Sequence, residues 1–87
     1  MTLKIEPISR KSTTRIRLSG EFRVEGVTEV KAEMARCGGR VALDLEELDL
    51  VDVEAVRFLN ACKAEGIRIL HCSPFIRQWM FRERGSR

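Results

Sequence analysis

Residues 41–55 read VALDLEELDLVDVEA, and no other stretch so narrows what the chain can become. The first five residues are nearly all apolar, the pattern of a strand covered on both faces and hence of a parallel sheet. Acidic residues follow in what reads as a turn. Asp52 then stands before a helical stripe of Ala55, Val56, Leu59 and Cys62. A strand that runs through a turn into a helix is the building unit of α/β domains, and such junctions are where they present a working surface.

The flanking sequence completes the pattern. Leu3, Ile5 and Ile8 alternate with polar residues, as in a half-buried strand. Pro7 suits an edge or an end of that strand, since it cannot donate to a ladder. The polar residues 9–14 read as a turn. Arg15 to Gly20 alternates again, with Ile16 and Leu18 inward and Gly20 breaking the pattern, so the two strands form an antiparallel pair. Val27, Val30, Met34 and Cys37 recur at helical spacing, with Glu25 and Glu29 near the start and Arg36 near the end, as the helix dipole favours. Gly38 and Gly39 stop that helix. After the central helix, which ends near Gly66, residues 67–70 form a short apolar strand. Ser73 and Pro74 then open a last helix that buries Ile76, Trp79 and Met80. The order β-β-α-β-α-β-α predicts one α/β domain over residues 1–87. Its mixed, mostly parallel four-stranded sheet is packed by helices through right-handed crossovers, and residues 81–87 form a basic tail that need not be ordered.

Of 87 residues, 16 are basic and 13 acidic, but the imbalance is local. Residues 1–76 carry twelve of each, whereas Arg77, Arg82, Arg84 and Arg87 face only Glu83. This places the excess charge at the end of the chain and argues against nucleic acid, whose binders carry a basic stripe across the fold. No apolar run approaches the roughly 20 residues that cross a bilayer, and the start lacks a signal-peptide pattern. A cytoplasmic protein is expected. Cys37, Cys62 and Cys72 have no CxxC pairing and read as reduced apolar residues, and His71–Cys72 alone makes no zinc site.

The six carboxylates between Asp44 and Glu54 invite an enzymatic reading. General acid–base chemistry needs two of them converging in one pocket. Glu46, Glu47 and Asp49 lie where acids are solvated, and Asp52 is placed to cap the following helix. Asp44, Asp49 and Asp52 have the oxygen chemistry of a magnesium site. Yet the chain has no glycine loop to cradle phosphate and no evident nucleophile, and His71 is its single histidine. No catalytic residue, metal ligand or cofactor is therefore assigned.

The order of elements, with LSGEF at 18–22, VALDLEELDLVDVEAVRFL at 41–59, GIRIL at 66–70 and SPFIRQWM at 73–80, resembles the STAS domain. That is the fold of sulfate-transporter cytoplasmic domains and bacterial anti-sigma factor antagonists. The resemblance implies a non-catalytic, signalling protein-interaction module of the bacterial cytoplasm. The family's aspartate before the second helix falls on Asp52, and the serine that a partner kinase phosphorylates in many antagonists falls on Val53. Glu54 and Ala55 stand where the family has Ser and Gly. Valine has no oxygen to accept a phosphoryl group, so the resemblance implies a docking surface whose kinase switch is lost. The residues expected to contact a protein partner are Glu21, Phe22, Asp49, Asp52, Val53, Glu54 and Arg57. The partner is an anti-sigma factor of the kinase-like kind or, in the alternative, the ATPase of an ABC transporter. No nucleic acid or membrane insertion is expected, and the oligomeric state is left open.

Overall fold

A computed structural model describes residues 3–38 and 40–85. Strands β1 (Leu3–Arg10) and β2 (Thr13–Phe22) form the antiparallel hairpin. The turn is tighter than residues 9–14. Only Lys11 and Ser12 are unpaired, and Lys11 takes a left-handed backbone with φ 53°. Ser9 and Thr14 are strand residues whose hydroxyls meet at 3.4 Å across the ladder, so polarity there marks an outward face and not a turn. Pro7 lies inside β1 opposite Ile16. It is tolerated because β1 is an edge strand, with one side free of ladder bonds.

Gly20 bends β2 without ending it. Its φ is 95°, and the pairing with the neighbouring strand shifts between Arg17 and Ser19 and again between Gly20 and Glu21. Such bulges add twist and re-aim the strand end. Helix α1 (Val24–Arg36) follows, with Val30 buried and Val27 and Met34 packed against the core. It closes at Arg36, where the Cys37 amide bonds the Met34 carbonyl at 3.2 Å. Gly39, expected as part of the stop, lies outside the described residues.

Strand β3 runs from Arg40 to Val51, twelve residues, and absorbs the acidic stretch expected as a turn. Glu47 pairs with Ser19, and Leu50 with Glu21. Ladder bonds to the bulged half of β2 hold these exposed acids extended. Helix α2 (Val53–Ala64), the short strand β4 (Arg68–Leu70) and helix α3 (Pro74–Gly85) complete the order β-β-α-β-α-β-α. Ser73 caps α3 as expected, its Oγ accepting from the Ile76 amide at 3.3 Å. The expected tail is helical through Gly85, because α3 continues past Met80; residues 86 and 87 lie outside the described residues. None of the described helices is long and apolar enough to cross a membrane.

The sheet order is β1-β2-β3-β4, antiparallel at β1–β2 and parallel elsewhere. Both crossovers step in the same direction along the sheet, so right-handedness sets α1 and α2 on one face. The core gathers there: Ile16, Leu18 and Phe22 of β2, Leu43 and Leu45 of β3, Leu59 of α2, and Ile76 and Met80 of α3. The expected second covering layer over β3 is not a helix. Ala42 and Asp44 are buried on the opposite face, where the row β2–β3–β4 sets Arg15 beside Ala42 and Arg17 beside Asp44. Long arginine stems can cover a sheet in this way.

Candidate functional site

The carboxyl ends of β2 and β3 meet the amino ends of α1 and α2, and Asp52 ties the four together. Its backbone N–H donates to the Phe22 carbonyl at 3.2 Å. Its Oδ1 accepts the Ala55 amide at 2.9 Å, the expected N-cap of α2. Its Oδ2 accepts the Val24 amide, also at 2.9 Å, so the same side chain caps α1, whose own N-cap residue Arg23 supplies no side-chain bond. Neither carboxylate oxygen of Asp52 is left for chemistry or a partner.

Around this junction the expected contact residues divide. Val53 is half-buried at the first turn of α2, and Glu54 is exposed. Arg57 follows on the next turn and bonds Glu54 at 3.4 Å and Glu83 of α3 at 3.2 Å. Asp49 is exposed near the end of β3, and Glu21 pairs with Arg23 at 3.3 Å. Phe22 is a correction: it is fully buried, with its ring edge-on to Phe58 at 6.0 Å. A ring whose burial anchors β2 to the helix layer cannot meet a partner, so Phe22 holds the site from beneath.

The structure adds residues that the sequence reading left out. A groove of about 520 Å³ between α1 and α2 is lined by Val24, Lys31, Glu54, Arg57 and Phe58, with Lys31 over the Phe58 ring at 5.9 Å. Val24 is 49% exposed and Leu50 37% exposed, and both stand within two residues of a strand or helix end at the junction. The signal for Val24 was present: it extends the Val27–Val30–Met34 stripe by one turn, beyond where the sheet covers it.

The other carboxylate cluster is elsewhere. Asp44 is fully buried on the helix-free face of the sheet. Its Oδ1 accepts from the Glu46 amide and from His71 Nδ1, each at 3.0 Å, while the Nε atoms of Arg15 and Arg17 stand 3.8 and 3.9 Å from Oδ2. Burial pushes this carboxyl up, but the His71 bond, the Glu46 amide and the charges of His71 and Arg17 together hold it below its usual range. Ligand-type atoms of Asp44, Glu46 and His71 lie within 4.8 Å of one another. Two guanidinium groups facing the same aspartate already neutralise it, which is poor electrostatics for a divalent cation. Asp44, Asp49 and Asp52 do not share one place in the fold, so the magnesium set considered from the sequence does not assemble. His71 adopts φ 55° to reach Asp44, and its ring is about half exposed.

No protein-family model matches the chain, and no curated protein sequence matches it. Solved structures do. The phosphorylated form of SpoIIAA, a Bacillus cell fate determinant, superposes with a TM-score of 0.66 at 22% identity, over 97% of this chain and 84% of that one. The unphosphorylated form of SpoIIAA, an anti-sigma factor antagonist, gives 0.63 at 22% identity, over 88% and 79%. The STAS domain of an anti-sigma factor antagonist from Rhodobacter sphaeroides gives 0.61 at 19% identity, over 79% and 86%. The chain has the STAS fold, as the resemblance of its sequence implied.

Proposed function

We propose that the chain is a non-catalytic protein-binding domain that works in the manner of an anti-sigma factor antagonist without a phosphoswitch. The observation that carries this reading is the start of α2. Asp52 is wholly engaged in capping two helices, and the next residue is an apolar valine beside the exposed Val24 and Leu50. A surface of this kind offers permanent apolar contact, with Glu54 and Asp49 supplying fixed negative charge and Arg57 a cation at the rim. The fold likeness to anti-sigma factor antagonists supports a protein partner in the bacterial cytoplasm, an anti-sigma factor of the kinase-like kind. Val53 in place of a phosphoacceptor also suits a second reading, in which the same face docks on an ABC-transporter ATPase and needs no phosphorylation.

A pull-down from native lysate tests this, with wild type and Val53→Asp side by side and thermal melts to confirm folding. The aspartate adds a charge at a helix start, where the dipole favours it by about 0.3–1 kcal/mol, so the fold is retained. Wild type is expected to retain a kinase-like protein or a transporter ATPase, which tells the two readings apart, and the variant is expected to lose it. Equal capture by both proteins would overturn the docking surface.

A further inference from the structure

The free edge of β4 is not used by the α2 surface. β4 pairs with β3 through Ala42 and Arg68, Leu43 and Ile69, and Asp44 and Leu70, and it ends the sheet. Along it lies a groove of about 720 Å³, lined by the six consecutive residues 67–72, so the groove follows the strand and does not cross it. Six extended residues span about 20 Å. The facing wall comes from α2 and α3, with Met80 and Phe81 as its apolar part.

The charges in this groove have one sign. Lys63, Arg68, Arg77 and Arg84 line it, and no acidic side chain among the described residues does. Arg77 is held by the Cys72 carbonyl at 3.3 Å, and the Arg84 guanidinium lies over the Phe81 ring at 5.8 Å. The other sheet edge is different: β1 carries Pro7, and its Lys4 is paired with Glu6 at 3.4 Å. Two copies meeting at β4 would set these cations against their own kind, which disfavours self-pairing.

We propose that the β4 groove takes an extended peptide with alternating acidic and apolar side chains, added to the sheet as a fifth strand. In strand addition the backbone supplies hydrogen bonds and alternate side chains supply specificity. Carboxylates of the peptide meet Lys63, Arg68, Arg77 and Arg84, and its apolar side chains rest on Met80 and Phe81. This site is separate from the α2 surface.

The test titrates a fluorescein-labelled peptide of alternating Glu and Val into the full chain. A Lys–Val peptide and a Glu–Val peptide interrupted by proline serve as controls. The Glu–Val peptide is expected to bind, to shift and protect the backbone amides of residues 67–70 by NMR, and to bind about tenfold more weakly to Arg68→Glu combined with Arg84→Glu. Val53→Asp is expected to bind it as wild type does, which separates failure here from failure of the α2 surface. The proposal is overturned if the Glu–Val peptide does not bind, if either control binds equally, or if the shifts fall in the α1–α2 groove.

Discussion

Asp52 Oδ2 accepts a hydrogen bond from the Val24 amide at 2.9 Å, across 28 residues of chain, while Oδ1 of the same carboxylate caps its own helix through Ala55. One side chain thus fixes where two helices begin and locks the ends of β2 and β3 together. A single helix cap contributes about 1 kcal/mol. Asp52→Ala should therefore cost about 2 kcal/mol in urea denaturation. Asp52→Asn, which keeps one carbonyl acceptor and turns the other oxygen into a donor, should cost about half as much. Equal stability of all three proteins would show that the Val24 bond contributes nothing.

Asp44 predicts the acid response. Its carboxyl is held below its usual range in the folded chain. A carboxyl whose folded value is depressed stabilises the fold above its unfolded value, about 4, and that contribution is lost as pH falls through the folded value. Removing one partner of a buried ion pair costs about 3–5 kcal/mol. Arg15 and Arg17 are each about one-third exposed, so about 2 kcal/mol is expected for Asp44→Asn at pH 6. The gap between wild type and Asp44→Asn in urea denaturation should narrow steadily below pH 4. A constant gap from pH 6 to pH 3 would contradict this account.

The parts of the fold legible in the sequence were those with periodicity. The helical stripe Ala55, Val56, Leu59 and Cys62 is buried throughout, and Ile16 and Leu18 alternate inward as their spacing requires. What was hidden depended on partners far along the chain. Glu46, Glu47 and Asp49 look like a turn until β2 offers them a ladder, and Asp44 looks like an isolated acid until two arginines and His71 arrive. Asp52 was readable as a cap because Ala55 is three residues away. Its bond to Val24 was not readable, since nothing in the spacing of residues 24 and 52 announces it. Phe22 was misassigned for the same reason: a residue at a strand end gives no local sign that Phe58 covers it.

Gly26 sits in α1 where β1 and β2 crowd the helix. A Cβ there would stand 2.7 Å from Leu3 Cδ2 and 3.3 Å from Phe22 Cδ1. Alanine gains about 1 kcal/mol of helix propensity over glycine. The Leu3 tip can rotate away, whereas Phe22 is locked in the core. Gly26→Ala alone should leave stability within about 1 kcal/mol of wild type. In a Leu3→Ala background the same substitution should stabilise, and a double-mutant cycle by urea denaturation reads the coupling. A cycle with no coupling would show that Leu3 is not what opposes the new methyl.

Cys62 tests whether the thiols are packing groups. Burial, with the Glu65 charge adding to it, pushes its thiol up to about 11, so it stays protonated at neutral pH and cannot act as a nucleophile. The side chain belongs to the buried stripe of α2. Iodoacetamide at pH 8 should leave Cys62 unmodified in the folded chain and label it as urea unfolds the protein, as followed by peptide mass spectrometry. Replacement separates packing from chemistry further. Cys62→Ala should cost about 1 kcal/mol for the lost volume, and Cys62→Ser about 2 kcal/mol, because a buried hydroxyl must find a partner. Rapid labelling of Cys62 in the native state would mean that α2 opens locally, and the core assignment of its stripe would then fail.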